Sequence, residues 1–286
     1  MPKVVLGAMV LGAILVAAAG AEAQSASPQS VRALMQLART QVQEGNASAA
    51  LDSLRKARAI APNSEEVLSA YAQVSLAAHR PILALVALDA LTRICPTVGE
   101  YHYLRGVALM QAGDMEAAVD SLGEADRLEP DKALTLTALG LALNNRKQYA
   151  EAKSSLARAL ERDPDSVDAT AALAEAEEGL GELDAADGHA RRALAKAGGH
   201  ATAHLVLGMV LIKRGEYAEA RDALLAAAAI DVASPKIHYQ LSLAYARLGD
   251  AEAARRHVDL YQQKLREMEE RVKTLRTPGG PDGQSR

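Results

Sequence analysis

Two histidines four residues apart, His200 and His204, are the side chains best spaced for chemistry in this 286-residue chain. Imidazoles one helical turn apart can share a metal ion. Here His200 follows Gly198-Gly199, so it falls at the start of a helix rather than on its face. The acids of Asp163-Pro-Asp165 resemble a calcium loop but lack its Gly and its terminal Glu. Cys95 is the single cysteine; it cannot form an intrachain disulfide and reads as a small buried hydrophobe before Pro96. The sequence has no Gly-rich phosphate loop, no His-Glu-x-x-His, no Gly-x-Ser-x-Gly and no paired Cys. It therefore predicts no catalytic, cofactor-binding or metal residue, and no enzyme. Net charge is −4 and no basic stripe interleaves with aromatics, which argues against nucleic acid as a partner.

The elements that carry these residues follow a fixed period. Pro62, Pro96, Pro130 and Pro164 stand 34 residues apart. A period of that length marks a stack of helix–turn–helix units. Units then run 31–64, 65–98, 99–132, 133–166, 167–200, 201–234 and 235–268. Their eighth residue is always small: Ala38, Ala72, Gly106, Gly140, Ala174, Gly208, Ser242. Their twentieth is always Ala: Ala50, Ala84, Ala118, Ala152, Ala186, Ala220, Ala254. Small side chains at two fixed places are what a close helix crossing needs.

His204, Leu207, Gly208, Gly215, Tyr217, Ala220, Leu224 and Ala227 of the sixth unit carry a family resemblance. The third and fourth units repeat it with Gly106, Gly113, Ala118, Ala125, Pro130 and with Leu139, Gly140, Tyr149, Ala152, Ala159, Pro164. Over residues 31–268 the chain resembles the tetratricopeptide repeat family. That resemblance implies an all-α, right-handed superhelical solenoid of about seven repeats that binds proteins. The chain departs from the family pattern where His79 and Lys147 replace the turn glycine, which predicts altered turns in those two units. With no Phe and no Trp, the core must be Leu and Ala.

The ends differ from the array. A basic start at Lys3, an apolar run from Val4 to Ala19 and Ala21-Glu-Ala23 are the parts of a signal peptide, residues 1–23. The mature protein is then expected in the bacterial periplasm with no stable membrane insertion. Residues 24–30 read as a flexible linker. A capping helix runs from Ala251 to 276, and residues 277–286 read as a disordered tail.

By the resemblance, positions 2, 5, 9, 12 and 13 of each first helix line a concave groove. This places Tyr103, Val107, Met110, Leu141, Asn144, Asn145, Asp168, Glu175, Glu178, Leu205, Met209, Ile212, Tyr239 and Arg247 on a partner-binding face, with Leu134, Lys213, Lys236 and Leu243 among the other lining positions. Ten acids lie between Glu161 and Asp187 against one base, Arg162. Asp168, Glu175 and Glu178 share one helix face, with Ala171 and Ala172 leaving room between them. Beside them Leu205, Met209 and Ile212 form an apolar stripe. The expected ligand is a protein or peptide segment combining Lys or Arg with apolar side chains. Two functions fit: an envelope scaffold for secretion, pilus or surface-polysaccharide assembly, and a periplasmic chaperone holding extended clients.

Overall fold

The computed structural model describes residues 28–276. The expected signal segment 1–23, residues 24–27 of the expected linker and the expected tail 277–286 lie outside the described residues. The rest is fourteen helices, with no strand among the described residues. They form two compact units that divide after Pro96.

The first unit holds α1 (Pro28–Gln43), α2 (Ala47–Ile60), α3 (Glu65–Ala77) and α4 (Pro81–Ile94). Helix α1 begins at Pro28, so residues 28–30 are helical rather than linker. Proline fits there because the first turn has no use for its missing N–H. Leu54, Leu68, Leu88 and Leu91 are the largest side chains fully buried in this unit. The Arg58 guanidinium lies 4.7 Å from the Tyr71 ring centroid, adding a cation–π contact. Cys95 caps α4 and is half-buried; burial, then the nearby Glu65, pushes its thiol up and keeps it from being a ready nucleophile.

The second unit continues with α5 (Gly99–Ala112), α6 (Met115–Leu128), α7 (Ala133–Asn145), α8 (Tyr149–Arg162) and α9 (Val167–Leu180). It ends with α10 (Leu183–Lys196), α11 (Ala201–Arg214), α12 (Tyr217–Ile230), α13 (Pro235–Arg247) and the long α14 (Ala251–Arg276). Each odd helix packs on the even helix after it. Odd helices α5, α7, α9, α11 and α13 also pack on one another in order, whereas even helices reach one another through long side chains such as Arg158 of α8 to Asp126 of α6 (2.9 Å). The odd layer is thus the inner side of this unit.

The small eighth residues are sockets. A Cβ on Gly106 would lie 2.4 Å from Leu122 Cγ, and one on Gly140 the same distance from Leu156 Cγ. Both leucines are fully buried, each burial contributing about 2 kcal/mol. Six of the seven alanines at position twenty have no exposed surface, and Ala254 on the terminal helix is half-buried.

All seven turns are alike, which corrects one expectation. Position fifteen is left-handed throughout: Gly45, Gly113, Gly181, Gly215 and Gly249, but also His79 at φ 54° and Lys147 at φ 61°. The next N–H reaches back to the same carbonyl in every unit, as in Arg80 to Ser75 (2.8 Å), Asp114 to Leu109 (2.9 Å) and Gln148 to Leu143 (2.9 Å). The helix pair on either side dictates the turn, and the two side chains bear the strain.

Candidate partner-binding site

The inner layer presents the residues named from the sequence, but many are already engaged. Leu205 and Met209 are buried in a core with Leu224, Ala227, Ile237, Leu241 and Ala244, and Ile212 packs against it. They form the seam between α11, α12 and α13 rather than an open stripe. The expected space at Ala171 is likewise filled: Ala171, Ala193 and Ala203 pack together with no exposed surface. Small side chains on α9 admit the neighbouring helix instead of a ligand.

Most acids of this band meet cations or histidines of neighbouring helices. Glu175 Oε1 accepts from Lys236 Nζ at 2.6 Å, across the intervening repeat. Burial works to lower the Lys236 ammonium, but Glu175, with Glu178 behind it, outweighs that and raises it. Glu178, 4% exposed, pairs with Lys213 at 2.6 Å, and Lys213 also donates to the Glu178 carbonyl. Glu177 meets His189 at 2.7 Å, and Asp184 meets Arg214 at 2.5 Å. Glu182 pairs with Lys153, and Asp165 with Lys196. The acids of α9 are balanced within the chain, Glu178 by Lys213 of α11 and Glu175 by Lys236 of α13, and not by α14.

The histidines are also committed. His200 caps α11: its Nδ1 accepts from Ala203 N–H at 3.3 Å, and its Nε2 bonds Asp168 at 3.0 Å. His204 Nε2 bonds the Gly198 carbonyl at 2.9 Å. No group of three or more His, Cys, Asp or Glu able to hold a metal occurs among the described residues.

Asn144 is a structural link. Its Nδ2 donates to the Ala172 carbonyl of α9 at 2.8 Å, and the side chain is 4% exposed. Next to it Asn145 is open. On α5, Tyr103, Val107 and Met110 are half-buried, as is Leu141 on α7. Burial raises the Tyr103 phenol above its usual range, keeping it a neutral donor.

Part of what stays open is apolar. Leu134, at the start of α7, is 73% exposed and borders a cleft of about 210 Å³ with Tyr103, Leu104 and Glu100. At the far end of the layer, α13 exposes Tyr239 and Leu243, with Arg247 beyond them. The sequence pattern placed Leu134 and Leu243 at groove positions; only the packing distinguishes them from the buried Leu205.

Comparison with known proteins agrees with this geometry. Models of the tetratricopeptide repeat match residues 99–132 and 137–187, and a TPR repeat model matches residues 208–249. A tetratricopeptide repeat protein from Parabacteroides merdae aligns with TM-score 0.70 at 15% identity, over 86% of this chain and 98% of that one. The pilF protein of Pseudomonas aeruginosa gives 0.57 at 22%, over 73% and 95%. MamA protein gives 0.56 at 22%, over 59% and 93%. At such identities the likeness is one of fold. No match is found among curated proteins. The chain is built of tetratricopeptide repeats.

Proposed function

We propose that this protein is a non-enzymatic interaction scaffold of the bacterial cell envelope, exported to the periplasm by residues 1–23. It takes a partner segment on the inner face of the array. The observation that carries this reading is the pattern of exposure: Glu175 and Glu178 are paired within the chain, while Leu134, Tyr239 and Leu243 are presented to solvent from the odd helices. Exposed apolar side chains on one face fit a protein partner better than a polar substrate. The site takes no cofactor and no nucleic acid in this reading.

Secretion, pilus and surface-polysaccharide assembly remain the envelope tasks that suit such a scaffold. The chaperone reading differs in what is bound: many weak clients rather than one or two stoichiometric partners. Affinity isolation of the tagged full chain from intact cells, with quantitation of captured proteins, separates them. N-terminal sequencing of the periplasmic form tests the address. A start at Gln24 supports export with cleavage, and an intact Met1 or Pro2 in the membrane fraction makes the segment an anchor.

A further inference from the structure

Helix α14 is held at its base by a cluster that none of the foregoing uses. His238 of α13, 8% exposed, and His257 of α14 stack with ring centroids 5.4 Å apart, and their Nδ1 atoms lie 3.2 Å from each other. Tyr245 of α13 also stacks on His257, at 5.4 Å and 8°. Farther along, Tyr239 and Tyr261 meet at 5.6 Å. The distal part of α14 then reaches a different part of the unit. Val272 Cγ2 lies 3.7 Å from where a Cβ on Gly113 would stand. Met268 and Val272 close a pocket of about 690 Å³ with Gly113, Met115 and Asn145. The helix thus spans from the last repeat to the ends of α5 and α7.

We propose that the His238–His257–Tyr245 stack is an acid-sensitive latch that holds α14 on α13, so that acidification frees the distal turns of α14 from the α5–α6 turn. The contact between the two imidazoles is an N–H donating to a ring nitrogen. It therefore needs at least one neutral ring, and two imidazolium ions at this separation repel. The charges around the pair add to the repulsion. Lys264 of α14 faces His238, and Arg256 lies beside His257. Asp231, at the end of α12, is the counter-charge facing His238, and Arg221 of α12 lies near Tyr245. Burial first, then Lys264 at His238 and the facing His238 with Arg256 at His257, hold both rings below the ordinary histidine range.

The sign follows from linkage. The latched form binds protons less readily than the released form, so the latch is at full strength above about pH 6.5. It weakens as pH falls below that value toward the lowered values of the folded pair. Each imidazole that must take up a proton raises the opening constant by up to about tenfold per pH unit in that window. The distal turns touch α5 and α7 sparsely, through Met268, Val272 and Lys273, and follow the base of the helix.

Hydrogen exchange on the full chain between pH 7.5 and 5.0, normalised to the rates of an unstructured chain at each pH, tests the proposal. Below about pH 6.5, exchange of residues 256–274 should accelerate up to about tenfold per pH unit, while α9 and α11 stay level. In His257→Phe, which keeps an aromatic ring against Tyr245 but gains no proton, that slope should fall to what His238 alone supplies. A flat wild-type profile, or an unchanged slope in His257→Phe, overturns the latch. If the variant does not fold, an imidazole titration by NMR on the wild type decides. At least one of His238 and His257 must titrate with its midpoint below about pH 6.5, and midpoints of both at or above that value overturn it.

Discussion

Gly208 sits in the shadow of Leu224: a Cβ on the glycine would lie 2.5 Å from the leucine's Cγ and 3.3 Å from the Ala220 carbonyl oxygen. One socket therefore joins both small positions of the repeat, the eighth by its missing side chain and the twentieth by its backbone. Gly208→Leu should lower stability by roughly 1–3 kcal/mol or more through overpacking. Glu219→Ala on the exposed face of α12 should stay within about 0.5 kcal/mol of wild type. Equal thermal midpoints for the two would remove the socket from the account.

The left-handed turn residues give a prediction of opposite sign. Lys147 at φ 61° and His79 at φ 54° hold a conformation that costs a residue with a Cβ about 1–2 kcal/mol. Lys147→Gly should raise stability by up to about 1 kcal/mol after the extra freedom of glycine in the unfolded chain is counted. Arg146→Gly, one residue earlier at φ −80°, should lower it. Denaturant midpoints at constant slope check both, and a destabilised Lys147→Gly would show that its side chain matters more than its backbone.

Charge reversal in the acidic band should damage the fold rather than partner binding. Glu178→Lys puts a second cation beside Lys213 at a site 4% exposed, at a cost of roughly 3 kcal/mol. Glu178→Lys with Lys213→Glu should recover a good part of that loss, which a double-mutant cycle measures. Additive effects in the cycle would mean that the two residues do not act as a pair.

The repeat, the paired helices and the capping helix were legible because they rest on spacing: 34 residues between prolines, and small residues at two fixed places. The partner face was legible only as a set of positions. Leu205 and Leu134 fall on the same face of their helices by count, yet one is 7% and the other 73% exposed. The difference lies in how closely neighbouring odd helices approach, and Ala171 and Ala203 set that locally. Lys236 and Lys213 were visible as groove residues but not as the partners of Glu175 and Glu178, because those pairings cross repeats. The contact of Val272 with Gly113 has no sequence signal, since it joins segments about 160 residues apart through the path of the whole unit.

The two His238→Phe and His257→Phe variants should differ little from wild type in melting temperature at pH 5, where the native pair has lost its advantage, and more at pH 7.5. A larger difference at pH 5 than at pH 7.5 would place the titrating groups elsewhere.

The most direct test of the scaffold account is capture of partners by the tagged full chain carrying Leu134→Asp and Tyr239→Asp, compared with wild type. Leu134→Asp, at a site 73% exposed, should leave melting close to wild type, Tyr239→Asp should lower it modestly by removing the Tyr261 contact, and circular dichroism checks that the double variant is folded. The account predicts one or two stoichiometric partners on the wild type and their loss from the double variant. Unchanged capture by the double variant, or a broad set of weak clients on both, would contradict it.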